Sequence, residues 1–361
     1  MRPMSQATKE NDNSNRIYIG MDVHKKHIDV TLMSQHIVLA QAHIRSNIME
    51  EYIRKVKRKY PGKQLTAAYE AGFSGFALCK QLNALGVETI VVNAADIPTT
   101  NKERTTKSDR SDSMKICKAL KSETLRKIYV PSDEQLGDRD LVRYRSRLRQ
   151  EVSKHKTRIK MFIHRYGIHI PDELDTSHWS KPLRAWLGMR TLPSASAQTT
   201  FGIMLENLET SEIAYQKHLR RINELASSPR YADDMDLLCT IPGIGRLTAI
   251  TILTELNPIS RFRTIDHLAS YVGLVPMRHQ SGSSDRSMPM QHRAQQELRV
   301  ALVQSAWMAA RSSDRFRAAH IEKRKNRPSQ VAIIYVARKL LNTIYTVLKN
   351  SQPYVEQSSK Q

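Results

Sequence analysis

Arg16-Ile-Tyr-Ile-Gly-Met-Asp-Val-His-Lys25 sets Ile17, Ile19 and Met21 against Tyr18, Gly20 and Asp22 in strict alternation. A period of two in a β-rich run marks a strand whose two faces meet different surroundings. The spacing predicts a first strand ending at Asp22, a hairpin connection over Val23 to His27, and a second strand over Ile28-Asp-Val-Thr-Leu-Met33. An acid at a strand end recurs in Leu65-Thr-Ala-Ala-Tyr69, a short apolar run followed by Glu70 and then by Ala71-Gly72, where a strand stops. From Ile17 to about Val130 such runs, Thr89 to Asn93 among them, alternate with helical patterns such as Gly75 to Leu85. That alternation predicts an α/β domain over residues 16–130.

A third acidic element is Thr106-Lys-Ser-Asp-Arg-Ser-Asp-Ser-Met-Lys-Ile-Cys117, with Asp109 and Asp112 spaced i, i+3 ahead of an amphipathic stretch. On a helix the two share one face. Each acid alone has an ordinary structural reading, the strand-end Asp as a turn former and the Asp pair as a complement to a helix dipole. Four carboxylates gathered at one place, however, repel one another unless cations neutralise them, and hard oxygen ligands suit Mg²⁺ or Mn²⁺. Two such ions about 4 Å apart stabilise the attacking and the leaving oxygen of a phosphodiester. Asp22, Glu70, Asp109 and Asp112 are therefore the expected metal-holding catalytic residues. The polar, basic stretch Ala94 to Ser108 before the Asp pair is suited to cradling a phosphate backbone.

Composition supports a polyanionic partner. The chain of 361 residues has 57 Lys and Arg against 35 Asp and Glu, a formal charge of +22, and nucleic acid is the first candidate for such an excess. Cys79, Cys117 and Cys239 have neither disulfide nor metal-ligand spacing, as expected in a reducing cytoplasm. Residues 1–15 are polar and read as a disordered tail rather than a secretory signal, and residues 351–361 as a second tail. No apolar run approaches the roughly 18 residues of a membrane span, so a soluble protein is expected.

After Pro131 the texture becomes helical, giving an all-α part after the α/β part. Leu141, Leu148, His155 and Phe162 recur every seven residues, and Val152, Ile159 and Tyr166 follow the d positions with Arg145 breaking that row, which predicts a coiled-coil arm within residues 131–230. Its other faces carry Arg143, Arg147, Arg149, Lys154, Lys156, Arg158, Lys160 and Arg165, readable either as a solvated face or as a nucleic-acid contact. A loop is expected around Trp179, Pro182, Trp186 and Pro193 to Thr200, then a second helix through Leu205, Leu208, Tyr215, Leu219, Ile222 and Leu225, then a linker at Ser227 to Arg230.

The last domain, 231–350, opens with Pro242-Gly-Ile-Gly245 between two apolar helical patterns. This reads as a helix-hairpin-helix whose Gly243 and Gly245 let backbone N–H groups approach a phosphate, or as a plain helix cap and turn. Met277-Arg-His-Gln-Ser-Gly-Ser-Ser-Asp-Arg286 reads as a flexible loop able to offer a serine hydroxyl to a phosphate between cations. Ser281, Ser283, Ser284 and Ser287 compete for that role.

These stretches together resemble the DEDD transposases of insertion sequence family 110, with its 1111 branch and the related pilin-gene invertases. The matching segments are Ile19 to Lys25, Tyr69-Glu-Ala-Gly72, Lys107 to Asp112, Ile241 to Gly245, Arg261-Phe262, Leu268 to Pro276 and Gln280-Ser-Gly282. The resemblance implies a RuvC-like RNase H fold carrying the acidic quartet, a coiled-coil insertion, and a C-terminal transposase domain whose catalytic serine maps onto Ser281. It implies recombination through a phosphoserine linkage with Mg²⁺ on the quartet, a structured guide RNA that pairs with donor and target DNA, and tetramers built from dimers, in the cytoplasm of a bacterial or archaeal cell. Lys107 and Arg110 beside the Asp pair, Arg278 and Arg286 beside the serine, and Gly243 and Gly245 are the expected nucleic-acid contacts. His279, Asp285 or a metal-bound hydroxide remain open as the group that deprotonates Ser281. Where the family has a Lys-Arg-Gly-Asn-like turn, this chain has Gln291-His-Arg-Ala-Gln-Gln-Glu-Leu-Arg299. A hydrolytic RuvC-like endonuclease and a non-catalytic nucleic-acid-binding relic are the competing readings.

Overall fold

The structure, a computed structural model, describes residues 15–98, 109–176, 179–281, 284–290 and 295–356, with side chains left undescribed at 109–110 and 276–290. The polar N-terminal stretch before Asn15, most of the basic loop before the Asp pair including Lys107, and the Gln291 to Ala294 turn lie outside the described residues. The chain divides into two compact units between Pro131 and Ser132.

In the first unit the alternation of the opening strand sorts residues onto two layers. Strands β1 (Arg16–Val23), β2 (His27–Met33), β3 (Val38–Arg45), β4 (Gln64–Glu70) and β5 (Glu88–Val92) form one mixed sheet in the order β3-β2-β1-β4-β5. The first three pair antiparallel, while β4 is parallel to both β1 and β5. Helices α1 (Met49–Lys59) and α2 (Ala77–Ala84) provide the crossovers that parallel strands require. Ile17, Ile19 and Met21 pack with Met49 and Ile53 of α1 and with Leu78 and Leu82 of α2. The alternate residue Tyr18 packs instead with Ile116, Cys117 and Leu120 of α3 (Asp109–Lys121).

One strand-forming segment escapes the sequence pattern for a physical reason. The outer strand β3 buries only Ile44, so its alternation carries little apolar contrast. Gly20, by contrast, has a role that the pattern alone leaves hidden. A Cβ built there would stand 2.2 Å from the Ser113 carbonyl oxygen and 2.4 Å from the Cys117 nitrogen. Helix α3 therefore lies against bare backbone, and a buried hydrogen bond of 2.9 Å between the Thr31 and Ser113 hydroxyls fixes it laterally. Gly20→Ala should cost about 2–4 kcal/mol, since the obstacle is backbone that cannot rotate away. Urea denaturation of the variant checks this; a loss under 0.5 kcal/mol, on the scale of an ordinary surface change, would sink the close-approach argument.

In the second unit Ser132 caps α4 (Asp133–Arg165) in a reciprocal box with Gln135. Helix α6 (Ala195–Ala226) runs back antiparallel, with His218 bonded to the Leu141 carbonyl at one end and Phe201 stacked on Phe162 at the other. The d row of the sequence reading is buried at Val152 and Ile159, with Ile163 beside them, but its last member Tyr166 is exposed, and Leu148, His155 and Phe162 of the other row are only half-buried. The expected loop between these helices holds a further helix, α5 (Lys181–Gly188), and α6 begins already at Ala195. Ser180 and Ser194 cap the two starts and Pro182 occupies the first turn of α5, where a proline costs no hydrogen bond. Ser/Pro-rich composition was thus capping chemistry rather than loop.

Helix α7 (Ala232–Cys239), α8 (Arg246–Leu256), α9 (Ile265–Val272), a hairpin of β6 (Pro276–Ser281) and β7 (Ser284–Met290), α10 (Gln296–Ser312), α11 (Asp314–Arg324) and α12 (Ser329–Asn350) complete the unit. Helix α8 is buried from Ala249 to Leu256. The expected linker at Ser227 to Arg230 is a hydrogen-bonded turn inside this unit, with Arg230 paired to Glu134 and Asp138 of α4. The expected C-terminal tail is docked as far as Glu356: Tyr354 packs on the core and donates its N–H to Thr240, and Glu356 accepts from Ser313. Helix α12 has the length and hydropathy of a membrane span, but its face through Ile333, Val336, Leu340, Ile344 and Leu348 is buried in the core of this unit.

Several cations read as a nucleic-acid face on α4 have protein partners. Arg143 grips the buried Glu255 carboxylate bidentately at 2.6 and 2.8 Å, and Lys154, Lys156 and Lys160 pair with Glu151, Glu212 and Asp175. Arg139, missed in the sequence, is buried and donates to the Thr254 and Glu255 carbonyls. Arg143→Ala leaves Glu255 buried without its fork. Because the arginine is itself 39% exposed, the expected loss is about 1–3 kcal/mol rather than the full cost of an orphaned buried charge. Thermal denaturation with the Glu255→Gln variant in a double-mutant cycle measures it, and additivity of the two would show that the pair is not coupled.

Candidate active site

Strand register and the approach of α3 place three of the four predicted acids toward one face of the sheet. Asp22 sits near the end of β1 and Glu70 ends the neighbouring β4, in a parallel register that pairs Met21 with Tyr69. Asp22 shares the strand face of Gly20, against which α3 lies. Asp112 precedes Ser113, whose carbonyl is the atom nearest to Gly20, so the first turn of α3 brings Asp112 over the same face. Asp109 opens that helix, one turn earlier, and Arg110 follows it.

The turn that carries Glu70 and the carboxylates of Asp112 and Asp22 have identifiable supports. Tyr69 donates its hydroxyl to the Gly75 carbonyl and accepts from the Cys79 N–H, which shapes the turn behind Glu70, and the Ala71 N–H donates to Val92. Burial pushes the Tyr69 phenol up to about 12, so it stays a neutral donor. The ammonium of Lys115, on the same helix and only 12% exposed, lies 2.9 Å from Asp112 Oδ1. His24 Nε2 lies 3.3 Å from Asp22 Oδ2. The donor set is all hard oxygen, partly exposed and already attended by cationic or polarisable groups, which fits a divalent metal. Cys117, beneath this face, has its thiol pushed up to about 12 by burial and acts as core rather than as a nucleophile.

In the second unit Ser281 ends β6 and pairs with Ser284, the first residue of β7; Gly282 and Ser283 lie outside the described residues. The expected flexible loop is thus two paired strands, and Arg278, His279 and Arg286 belong to them, with Arg278 opposite Ser287 and His279 opposite Arg286. The antiparallel pairing of β6 with β7 is hidden in the sequence by the low apolar content of both strands. The Pro242 to Gly245 turn does join two helices. Gly243 has φ +82°, and a Cβ on it would meet the Ser305 carbonyl at 2.4 Å; its glycine is demanded by packing on α10. Gly245 caps α8 with open space around it.

Sequence reasoning missed Lys115, Asp29, His27 and His43. Asp29 is the direct cross-strand partner of Asp22 and His43 that of Asp29, a relation that appears only once the register is known.

Two sequence profiles of known transposases match. The DEDD transposase profile covers residues 19–168, spanning all four acids, and the profile of the IS116/IS110/IS902 transposase family covers 235–320, spanning Gly243, Gly245 and Ser281. A transposase for insertion sequence element IS1533 from Leptospira borgpetersenii is 27% identical over 247 residues, 67% of this chain and 70% of that protein. The transposase for element IS1111A from Coxiella burnetii is 21% identical across 83% of this chain and 80% of its own length. A pilin gene-inverting protein of Moraxella bovis is 35% identical over 132 residues, 35% of this chain and 40% of that protein. The chain belongs to the IS110 family of transposases, enzymes of DNA recombination.

Proposed function

We propose that this transposase cuts and rejoins DNA with two sets of residues: a RuvC-like RNase H core whose Asp22, Glu70, Asp109 and Asp112 hold Mg²⁺ or Mn²⁺, and Ser281 as a nucleophile. The observation that carries the reading is that strand register and the close approach of α3 at Gly20 put Asp22, Glu70 and the first turn of α3 toward one sheet face. The β3-β2-β1-β4-β5 order, with three antiparallel strands followed by two parallel ones, supports the RuvC-like assignment.

A divalent ion bound by the quartet supplies Lewis-acid stabilisation of charge on the phosphate oxygens. The protein's own part is to bind and orient. Lys115 limits repulsion among the carboxylates, and Tyr69 steadies the turn carrying Glu70. Ser281 Oγ attacks phosphorus; the Oγ–P bond forms as a P–O bond to deoxyribose breaks, the hydroxyl proton passes to a base, and the leaving deoxyribose oxygen takes up a proton. Attack by a deoxyribose hydroxyl of another strand reverses these changes and frees the serine. The formal charge of +22 suits donor and target DNA and, by family resemblance, a structured guide RNA; dimers assembling into tetramers, and a cytoplasmic location, belong to the same reading.

The test is to express the gene with its native flanking DNA, denature the cells, digest the nucleic acid and search by mass spectrometry for a nucleotide on the Ser281 peptide. An adduct in the wild type that is lost in Ser281→Ala supports the reading. Metal-dependent nicking with no adduct would instead establish a hydrolytic endonuclease.

A further inference from the structure

We propose that the β1–β2 hairpin binds a transition-metal ion, Zn²⁺ in the first instance, through His24, His27 and Asp29, a ligand set distinct from the four acids of the preceding section although it adjoins Asp22, whose Oδ2 lies 3.3 Å from His24 Nε2. The ligand atoms of these three residues lie within 4.8 Å of one another. Tetrahedral Zn²⁺ with bonds of about 2.0–2.1 Å holds its ligand atoms about 3.3 Å apart, so closing the site needs side-chain rotation and no backbone movement. The donors differ in kind from the quartet: two imidazoles and one carboxylate suit Zn²⁺ and its neighbours, whereas Mg²⁺ prefers oxygen alone.

The surroundings are built as metal sites are. Asp29 is 3% exposed, and His43 Nδ1–H donates to both of its oxygens at 3.1 Å. An outer imidazole that orients a ligating carboxylate is a characteristic second layer of such sites. The rings of His24, His27 and His43 form a row, with centroids 4.6 and 4.5 Å apart. The turn carrying the first two is fixed by the His24 N–H donating to the His27 carbonyl and by Ser46 donating to the carbonyls of His24 and Lys26. A second, independent observation also calls for a cation. Asp22 and Asp29 stand directly opposite each other on antiparallel strands, and like charges so placed repel. An ion held by Asp29 and the two histidines relieves that repulsion and locks the hairpin from which Asp22 projects.

The experiment uses the full-length protein, stripped with a chelator and titrated with Zn²⁺ against a chromophoric competitor in excess Mg²⁺, which saturates hard-oxygen sites. The expected result is one Zn²⁺ bound at micromolar or tighter Kd, about 30-fold weaker or worse in His27→Asn, about 10-fold weaker in His43→Gln, and unchanged in Asp112→Asn. Circular dichroism establishes that each variant is folded. Co²⁺ provides a second readout on the wild type, since imidazole coordination gives visible absorption bands that carboxylates and water alone leave weak. Zn²⁺ binding that survives His27→Asn, or that is displaced by Mg²⁺, or that is lost in Asp112→Asn, overturns the proposal; the last two results would assign the ion to the acidic quartet. The proposal stands or falls independently of Ser281, because no step of the titration involves strand exchange.

Discussion

Asp22→Asn is expected to lower strand cleavage by on the order of 10³-fold while leaving DNA affinity within about twofold of the wild type. The change keeps the shape of the side chain and removes one negative charge. Loss of metal-supplied stabilisation of several kcal/mol corresponds to about three decades in rate. Asp22 lies on a strand paired on both sides, to β2 and to β4, so the backbone around an asparagine stays fixed. Single-turnover cleavage of the flanking DNA beside a gel-shift titration measures both quantities. Cleavage within tenfold of the wild type would remove Asp22 from the catalytic set, and a parallel collapse of DNA affinity would make it a binding or folding residue instead.

Ser281→Ala should have the larger effect, a loss of at least about 10⁴-fold in recombination, because deleting a nucleophile leaves only the catalysis that binding and charge stabilisation provide. Its position at the end of β6, opposite Ser284, gives a discriminating control: Ser284→Ala alters the facing residue of the paired strand and is expected to recombine at close to the wild-type rate. Equal loss in both variants would mean that the hairpin matters as a surface and that neither hydroxyl attacks phosphorus. Recombination that survives Ser281→Ala would leave hydrolysis at the acidic quartet as the mechanism.

The alternation in residues 17–22 was sufficient to predict β1, its two faces and Asp22 near its end, since a strand whose two faces meet different surroundings is written with a period of two. The seven-residue spacing along α4 likewise gave the helical arm. Spacing also placed Val152 and Ile159 on the seam; the burial of Ile163 in place of Phe162 depends on what α5 and α6 present in return. The basic row on α4 shows the same limit. Charge counting marked Arg143 as a candidate for nucleic acid, but its partner Glu255 lies 112 residues away, and nothing local to Arg143 announces a buried carboxylate there.

What the sequence by itself determined is the inventory: an α/β part followed by helices, four acids with the spacing of strand ends and a helix start, a serine-glycine pair among cations, and a strong positive charge. The tertiary structure alone decided which of these meet. Parallel pairing of β1 with β4 brings Glu70 beside Asp22, and the missing Cβ of Gly20 lets α3 carry Asp112 down to the same face. The antiparallel register of β1, β2 and β3 lines Asp22, Asp29 and His43 across three strands. Each of these meetings depends on a register or a close approach between segments distant in the chain, which is set by packing of whole elements and is not written in any local run of residues.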